Sequence, residues 1–230
     1  MRGRAGVALA GVAALWLHAA PGWAQQPTDP EAGRSEISAG LGWIGSSAIG
    51  SRDATLTGAA GDRFRLFSTQ SDLGRRFEVH LRLGTQVARA TEFEAALAFA
   101  RPTVTTNISA DAENAAATSA AEAVIDASIA AGVRVSPGAW RVGPRVHLFV
   151  VGGGGFLREL HEERTLSQTG RIVYAGGGAS VPLQTPGVSV RSDHVGIRID
   201  LRAMVRSGGV AFDGQSHVSP VVTGSIFAKF

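Results

Sequence analysis

The stretch VGIRIDLRAMVR (195 to 206) places Val195, Ile197, Ile199, Leu201, Ala203 and Val205 at odd positions, and Arg198, Asp200, Arg202 and Arg206 at even ones. A period of two is the signature of a strand, whose successive side chains point to opposite faces; no helical face collects these residues. RRFEVHLRL repeats the code, with Phe77, Val79, Leu81 and Leu83 against Arg76, Glu78, His80 and Arg82. Between Ala123 and Val135 the apolar set is Ile125, Ala127, Ile129, Ala131 and Val133, against a set that includes Asp126 and Arg134. Weaker copies are EISAGLGWIG, EFEAALAFA with Glu94 on its polar face, Val146, Leu148 and Val150 after Arg145 and His147, RIVYAGGGASV, and HVSPVVTGSIFAKF. The count is eight strands. Long polar segments (about 45–74, 101–121, 157–170, 207–216) alternate between them with shorter ones (about 85–91, 136–143, 182–194).

The first residues place Arg2 and Arg4 before an apolar stretch from Ala5 to about Ala20, followed by small residues around Trp23. That order is a secretory signal peptide, with cleavage expected after Ala24. Residues 25–35 read as a flexible lead and 36–230 as one domain. The absence of cysteine excludes disulfides, thiol chemistry and thiolate metal sites. Without Arg2 and Arg4 the net charge falls from +3 to +1, so nothing here calls for nucleic acid.

Alternation also occurs in soluble barrels and sandwiches. Four features favour lipid: the leader, strands of about ten residues, the long and short connections, and an aromatic last residue. A ten-residue strand tilted by ~45° rises ~23 Å, close to the ~25 Å apolar band of an outer-membrane barrel. Charged faces then point into the lumen. The expected inward set is Arg76, Glu78, His80, Arg82, Glu94, Asp126, Arg134, Arg145, His147, Arg198, Asp200, Arg202 and Arg206, seven arginines facing four carboxylates, with Glu92, Glu122 or loop acids balancing the excess. Such charges must pair, and guanidinium forks suit carboxylates. The expected fold is an all-β, eight-stranded antiparallel transmembrane up-and-down barrel, filled by side chains and not open as a pore.

As a whole the pattern resembles the small eight-stranded outer-membrane barrels of Gram-negative bacteria, the OmpA and OmpX type. More narrowly, residues 152–178, LRAMVRSGGVAFD and GSIFAKF are similar to uncharacterised sequences described as outer membrane protein beta-barrel domain proteins. The resemblance implies a fold, an outer-membrane location with both termini periplasmic, outer-membrane lipids and lipopolysaccharide as surroundings, and no activity or cofactor. It also implies that Phe230, with Ile226 and Ala228 before it, is the signal read by the assembly machinery. Two departures stand out: a single tyrosine, Tyr174, leaves the girdles to Trp43, Phe93, Phe99, Trp140 and Phe156, and Pro220 lies inside the last strand.

Chemistry-bearing motifs are sparse. VVGGGGFLREL has the order of a dinucleotide-binding turn, but no acidic ribose ligand and no GK[ST] follow. Glycines on adjacent strands that make room for large inward side chains account for it better. His161-Glu162-Glu163 lacks the second histidine of a zinc protease motif. His217 and Ser219, with Asp213 nearby, have the residue types of an acyl hydrolase set, but the phase of Ile226, Ala228 and Phe230 turns both inward, away from lipid chains. The leading expectation is therefore a non-enzymatic barrel with four exposed loops that contact something outside the cell or stabilise the membrane, ahead of a lipid A hydrolase and a narrow conduit or apolar-ligand carrier.

Overall fold

The computed structural model describes residues 34–113, 115–161, 166–183, 194–211 and 213–230; the leader assigned to 1–24 lies outside them. Twelve strand segments are present among the described residues. They are β1 (Ser35–Ile44), β2 (Ser47–Thr57), β3 (Arg63–Leu73), β4 (Arg76–Ala88), β5 (Thr91–Ala100), β6 (Thr103–Ser109), β7 (Thr118–Val135), β8 (Arg141–Val142), β9 (Val146–His161), β10 (Ser167–Pro182), β11 (Val195–Gly208) and β12 (Ser216–Lys229).

Eight of these close a ring in the order β1, β4, β5, β7, β9, β10, β11, β12, with every neighbouring pair antiparallel. The ring shuts where β12 returns to β1, from Val221 opposite Ile44 to Lys229 opposite Glu36. One step further, Ser35 and Phe230 exchange both backbone hydrogen bonds, each 2.9 Å. Closure leaves no strand edge in the ring, the condition for an open backbone to survive in hydrocarbon. The sequence phase holds at the C-terminus: Ser225 and Phe227 are buried inside, whereas Ile226 and Phe230 stand outside, 63% and 72% exposed.

Three of the four long polar segments carry strands. Residues 45–74 form a hairpin of β2 and β3, and 101–121 contain β6 and the start of β7; β9 continues through His161. Together β2, β3, β6 and β7 make a four-stranded extension of the wall beyond the mouth opposite the termini. The physical reason is a sparse inner pattern. Ile49, Leu73, Val104 and Val124 are the buried apolar residues of the extension, set among many Ser and Thr. Those four residues form a fully dry cluster with Val210, which reaches them from the connection between β11 and β12. Burying an aliphatic side chain of this size contributes about 1.5–3 kcal/mol, so the cluster fastens the extension across the far mouth.

The wall breaks at Gly45-Ser46, Gly74-Arg75 and Arg101-Pro102, where the ring hands over to the extension. Pro220 sits at this level. Gly45 donates its N–H to the Pro220 carbonyl at 2.9 Å, and in a strand the N–H and C=O of one residue face the same neighbour. The missing proline N–H therefore faces Gly45, just past the end of β1, and the loss is confined to one bond at the end of the β1–β12 ladder.

Candidate functional site

The interior is the feature with the most chemistry. Inward positions on neighbouring strands meet there, and three arginine-centred groups follow one another along the axis. Nearest the termini, Arg134 of β7 donates to Glu36 of β1 at 3.0 Å and to Glu92 of β5, with Glu94 3.5 Å from its Nε. Lys229 adds a second cation 3.7 Å from Glu36.

In the middle, Asp200 of β11 is fully buried and accepts from Arg198 Nε at 2.9 Å, Arg82 Nη1 at 2.8 Å, Arg202 Nη2 at 2.8 Å and Thr223 Oγ1 at 3.0 Å. Arg198, 1% exposed, also forks onto Glu94 of β5. Towards the far mouth, Arg206 bridges Asp126 of β7 and Glu159 of β9, the latter at 2.6 Å, and Arg76 lies 3.6 Å from Asp126. The other oxygen of Glu159 accepts the backbone N–H of Val210 at 2.7 Å, which ties the ionic interior to the dry cluster above it.

The lattice thus uses six arginines (76, 82, 134, 198, 202, 206) and seven carboxylates (36, 78, 92, 94, 126, 159, 200). Arg145 does not belong to it. It lies in the connection before β9 and is exposed, because the strand begins only at Val146; His147, at the start of β9, is half-buried. Glu92 balances Arg134, while Glu122 instead bonds His161 at 2.7 Å on the far side. Glu36 and Glu159 are additions that the sequence pattern missed. Glu159 was legible only by carrying the alternation of β9 past Phe156, since Leu157 and Glu159 continue its inward face.

Aromatic rings and glycines complete the packing. Arg198 stands 4.5 Å and Arg134 5.5 Å from the Phe149 ring centroid, and Arg202 stands 4.9 Å from that of Tyr174. Such cation–π contacts gain strength where the cation is desolvated. The glycine runs of β9 and β10 serve these rings: a Cβ on Gly178 would come within 2.6 Å of Phe149 Cζ, and one on Gly153 within 2.6 Å of the Tyr174 hydroxyl. No phosphate-binding turn exists at Gly152 to Gly155, because β9 runs straight through them. Tyr174 is interior, while Trp43, Phe93, Phe99, Trp140 and Phe156 are all exposed on the outside.

Two cavities remain beside the lattice, of ≈ 60 Å³ next to His80 and Arg202 and ≈ 20 Å³ next to Arg76 and Arg206. Nitrogens without a hydrogen-bond partner among the described residues line them: both of His80, Nε of Arg202, Nε and Nη1 of Arg76, and Nε of Arg206. At ~10–15 Å³ per water centre, the volumes leave room for a few waters beside these nitrogens.

The possible hydrolase residues are only partly assembled. His217 Nε2 lies 3.0 Å from Asp213 Oδ1, and Asp213 also accepts the Gln215 N–H at 2.9 Å. The Gln215 N–H, with His217, holds the Asp213 carboxyl below its ordinary range. Ser219 points inward opposite Met204 and is buried. The described residues contain no cluster of three or more metal-ligating side chains.

The outer face reverses the polarity of the interior. Phe77, Val79, Leu81 and Leu83 of β4, Ile197, Ile199 and Leu201 of β11, and Ile226 of β12 are all 41–76% exposed. A soluble protein rarely exposes a continuous apolar surface of such size; in a bilayer it is the surface that belongs outside. No helix among the described residues is long and apolar enough to cross a membrane.

No family model and no curated protein sequence matches the chain. Among solved structures it is similar to the outer membrane protein OprG from Pseudomonas aeruginosa, with 11% identity over 87% of this chain and 97% of that one, at a TM-score of 0.48. It is also similar to Ail, the attachment invasion locus protein of Yersinia pestis, in complex with the heparin analogue sucrose octasulfate (14% identity, 86% of this chain and 99% of that one, TM-score 0.42). A further likeness is to the outer membrane protease OmpT from Escherichia coli (8% identity, 90% and 99% covered, TM-score 0.34). The fold rests on the ring itself: closed, antiparallel, charged within and apolar without, the chain is an all-β, eight-stranded transmembrane barrel.

Proposed function

We propose that the chain is a plugged, non-enzymatic barrel of the outer membrane that serves a structural or surface-interaction role. In this reading both termini are periplasmic, and the hairpin of β2 and β3, with the neighbouring ends of β6, β7, β9, β10, β11 and β12, faces the outside. The observation that carries it is the filled lumen: Asp200 alone gathers three guanidinium groups and a hydroxyl across the middle of the barrel. Ordered buried charge of this kind is a wall, since each ion is desolvated and held by partners from several strands. Ile226, Ala228 and Phe230, apolar and in phase at the end of β12, are what the chain offers to the assembly machinery.

A hydrolase is less well supported, because His217 and Ser219 share an inward face and an acyl chain would approach from outside. A carrier of apolar ligands meets an interior of charges. The plug predicts that proteoliposomes containing the folded protein swell in a monosaccharide no faster than protein-free liposomes. Swelling several-fold faster would overturn the plugged reading and favour a conduit.

A further inference from the structure

At the upper edge of the apolar belt, the outward faces of β9 and β10 carry arginine where the other outward positions below are apolar or small. Arg158 and Arg171 are exposed and point away from the lumen, because Leu157, Glu159, Ile172 and Tyr174 take the inward phase beside them. Arg171 pairs directly with Phe156, and Arg158 lies two residues beyond Phe156 on the same face. The two arginines are therefore diagonal cross-strand neighbours, ~7–8 Å apart at the backbone and well within the reach of two long side chains. Ser167 accepts a hydrogen bond from Arg158 Nε at 3.0 Å and fixes its stem, leaving the two terminal nitrogens to other partners. Among the described residues neither arginine has a carboxylate partner.

Beside and below this pair the outward positions are Phe156, Gly154 and Gly152 on one strand and Val173, Ala175 and Gly177 on the other. The wall there is low and apolar, at the depth of lipid chains. The same order of residues, arginine just outside an exposed phenylalanine, recurs at Arg75 and Phe77 and at Phe99 and Arg101.

We propose that Arg158 and Arg171 form a clasp for the phosphate group of a membrane lipid, whose chains lie against the wall beneath. The inference rests on the membrane placement and orientation given above. Two converging guanidinium groups match a doubly charged phosphate through charge-assisted, forked hydrogen bonds. A lipid fits better than a free anion because the arginines sit at the edge of the apolar belt, with Phe156 beside Arg171 and below Arg158, where a phosphate arrives attached to hydrocarbon.

The test uses the full-length folded protein in sugar-headgroup micelles, which contain no phosphate. It is titrated with a bis-phosphorylated lipid A, with the same lipid stripped of its phosphates, and with inorganic phosphate, and the unfolding temperature is followed. The phosphorylated lipid is expected to raise that temperature at concentrations at least tenfold lower than the stripped lipid needs. R158Q/R171Q should lose this discrimination, and R158K/R171K, which keeps the charge but not the fork, should keep only part of it. Equal effects of the two lipids would overturn the proposal, as would discrimination retained in R158Q/R171Q. An equal shift with inorganic phosphate would replace it with a free-anion site. The lipid comparison on the unaltered protein decides the matter even where a variant does not fold. Protein that inserts into vesicles but does not discriminate refutes the clasp alone; protein that fails to insert refutes the membrane reading beneath it.

Discussion

Replacing Asp200 with alanine is expected to destabilise the barrel by about 3–5 kcal/mol, the cost of breaking a buried ion pair from one side. The substitution removes the acceptor shared by Arg82, Arg198 and Arg202 and by the Thr223 hydroxyl. Arg198 keeps Glu94, but Arg82 retains only the Thr223 oxygen, at 3.0 Å. Three buried cations would then crowd a space with no carboxylate at its centre, and water must enter or strands must part. The comparison is Asp53→Ala on the extension, where Arg65 lies 3.9 Å away and both side chains are 54% exposed. Exposed pairs contribute about 0–1 kcal/mol. Denaturant unfolding in micelles, followed by the shift between folded and unfolded bands, should separate the two variants clearly. Equal midpoints would mean that the lattice does not hold the barrel together.

The second large effect is steric. Gly155 faces inward where β9 crosses to β7, and an added Cβ would meet the Ile129 carbonyl oxygen and lie 2.6 Å from Ala130 Cα. Both obstacles are backbone, so no side-chain rotation relieves them. Overpacking in a close-packed interior usually costs about 1–3 kcal/mol, and Gly155→Val should reach the upper end or prevent closure between β7 and β9. Gly224 is the control within the same barrel: it faces outward on β12 with nothing within 4 Å of its Cβ position. Gly224→Ala is expected to be neutral or to stabilise by a few tenths of a kcal/mol through the unfolded chain. Refolding yields for the two variants would measure the contrast. A Gly155→Val protein that folds as completely as Gly224→Ala would show that the glycine runs are not there to make room.

Both predictions depend on phase, and phase is what alternation makes legible. β4, β11 and the second half of β7 carry charge on one face and aliphatic residues on the other, so Arg76, Arg82, Asp126, Arg134, Arg198, Asp200, Arg202 and Arg206 could be placed inside the barrel before any coordinates. Arg145 could not be placed correctly, because alternation gives a face but not the residue at which a strand starts. Glu36 and Glu159 escaped for a related reason: each sits near the end of its strand, where few neighbours define the pattern. The extension of β2, β3 and β6 was hidden because serine and threonine serve either face of a strand exposed to water, leaving Ile49, Leu73 and Val104 as its buried apolar markers. Partner choice was not legible at all. Which arginine meets which carboxylate depends on the stagger between strands far apart in sequence, as with Arg134 and Glu36, 98 residues apart.

The central claim is that this ring stands in a membrane with its apolar face to lipid. Its most direct test is the electrophoretic mobility of unheated and heated protein recovered from alkali-washed membranes. A closed barrel in lipid should stay with the washed membranes and migrate as a compact band that shifts on boiling. Recovery in the soluble fraction, with one mobility whether heated or not, would contradict it.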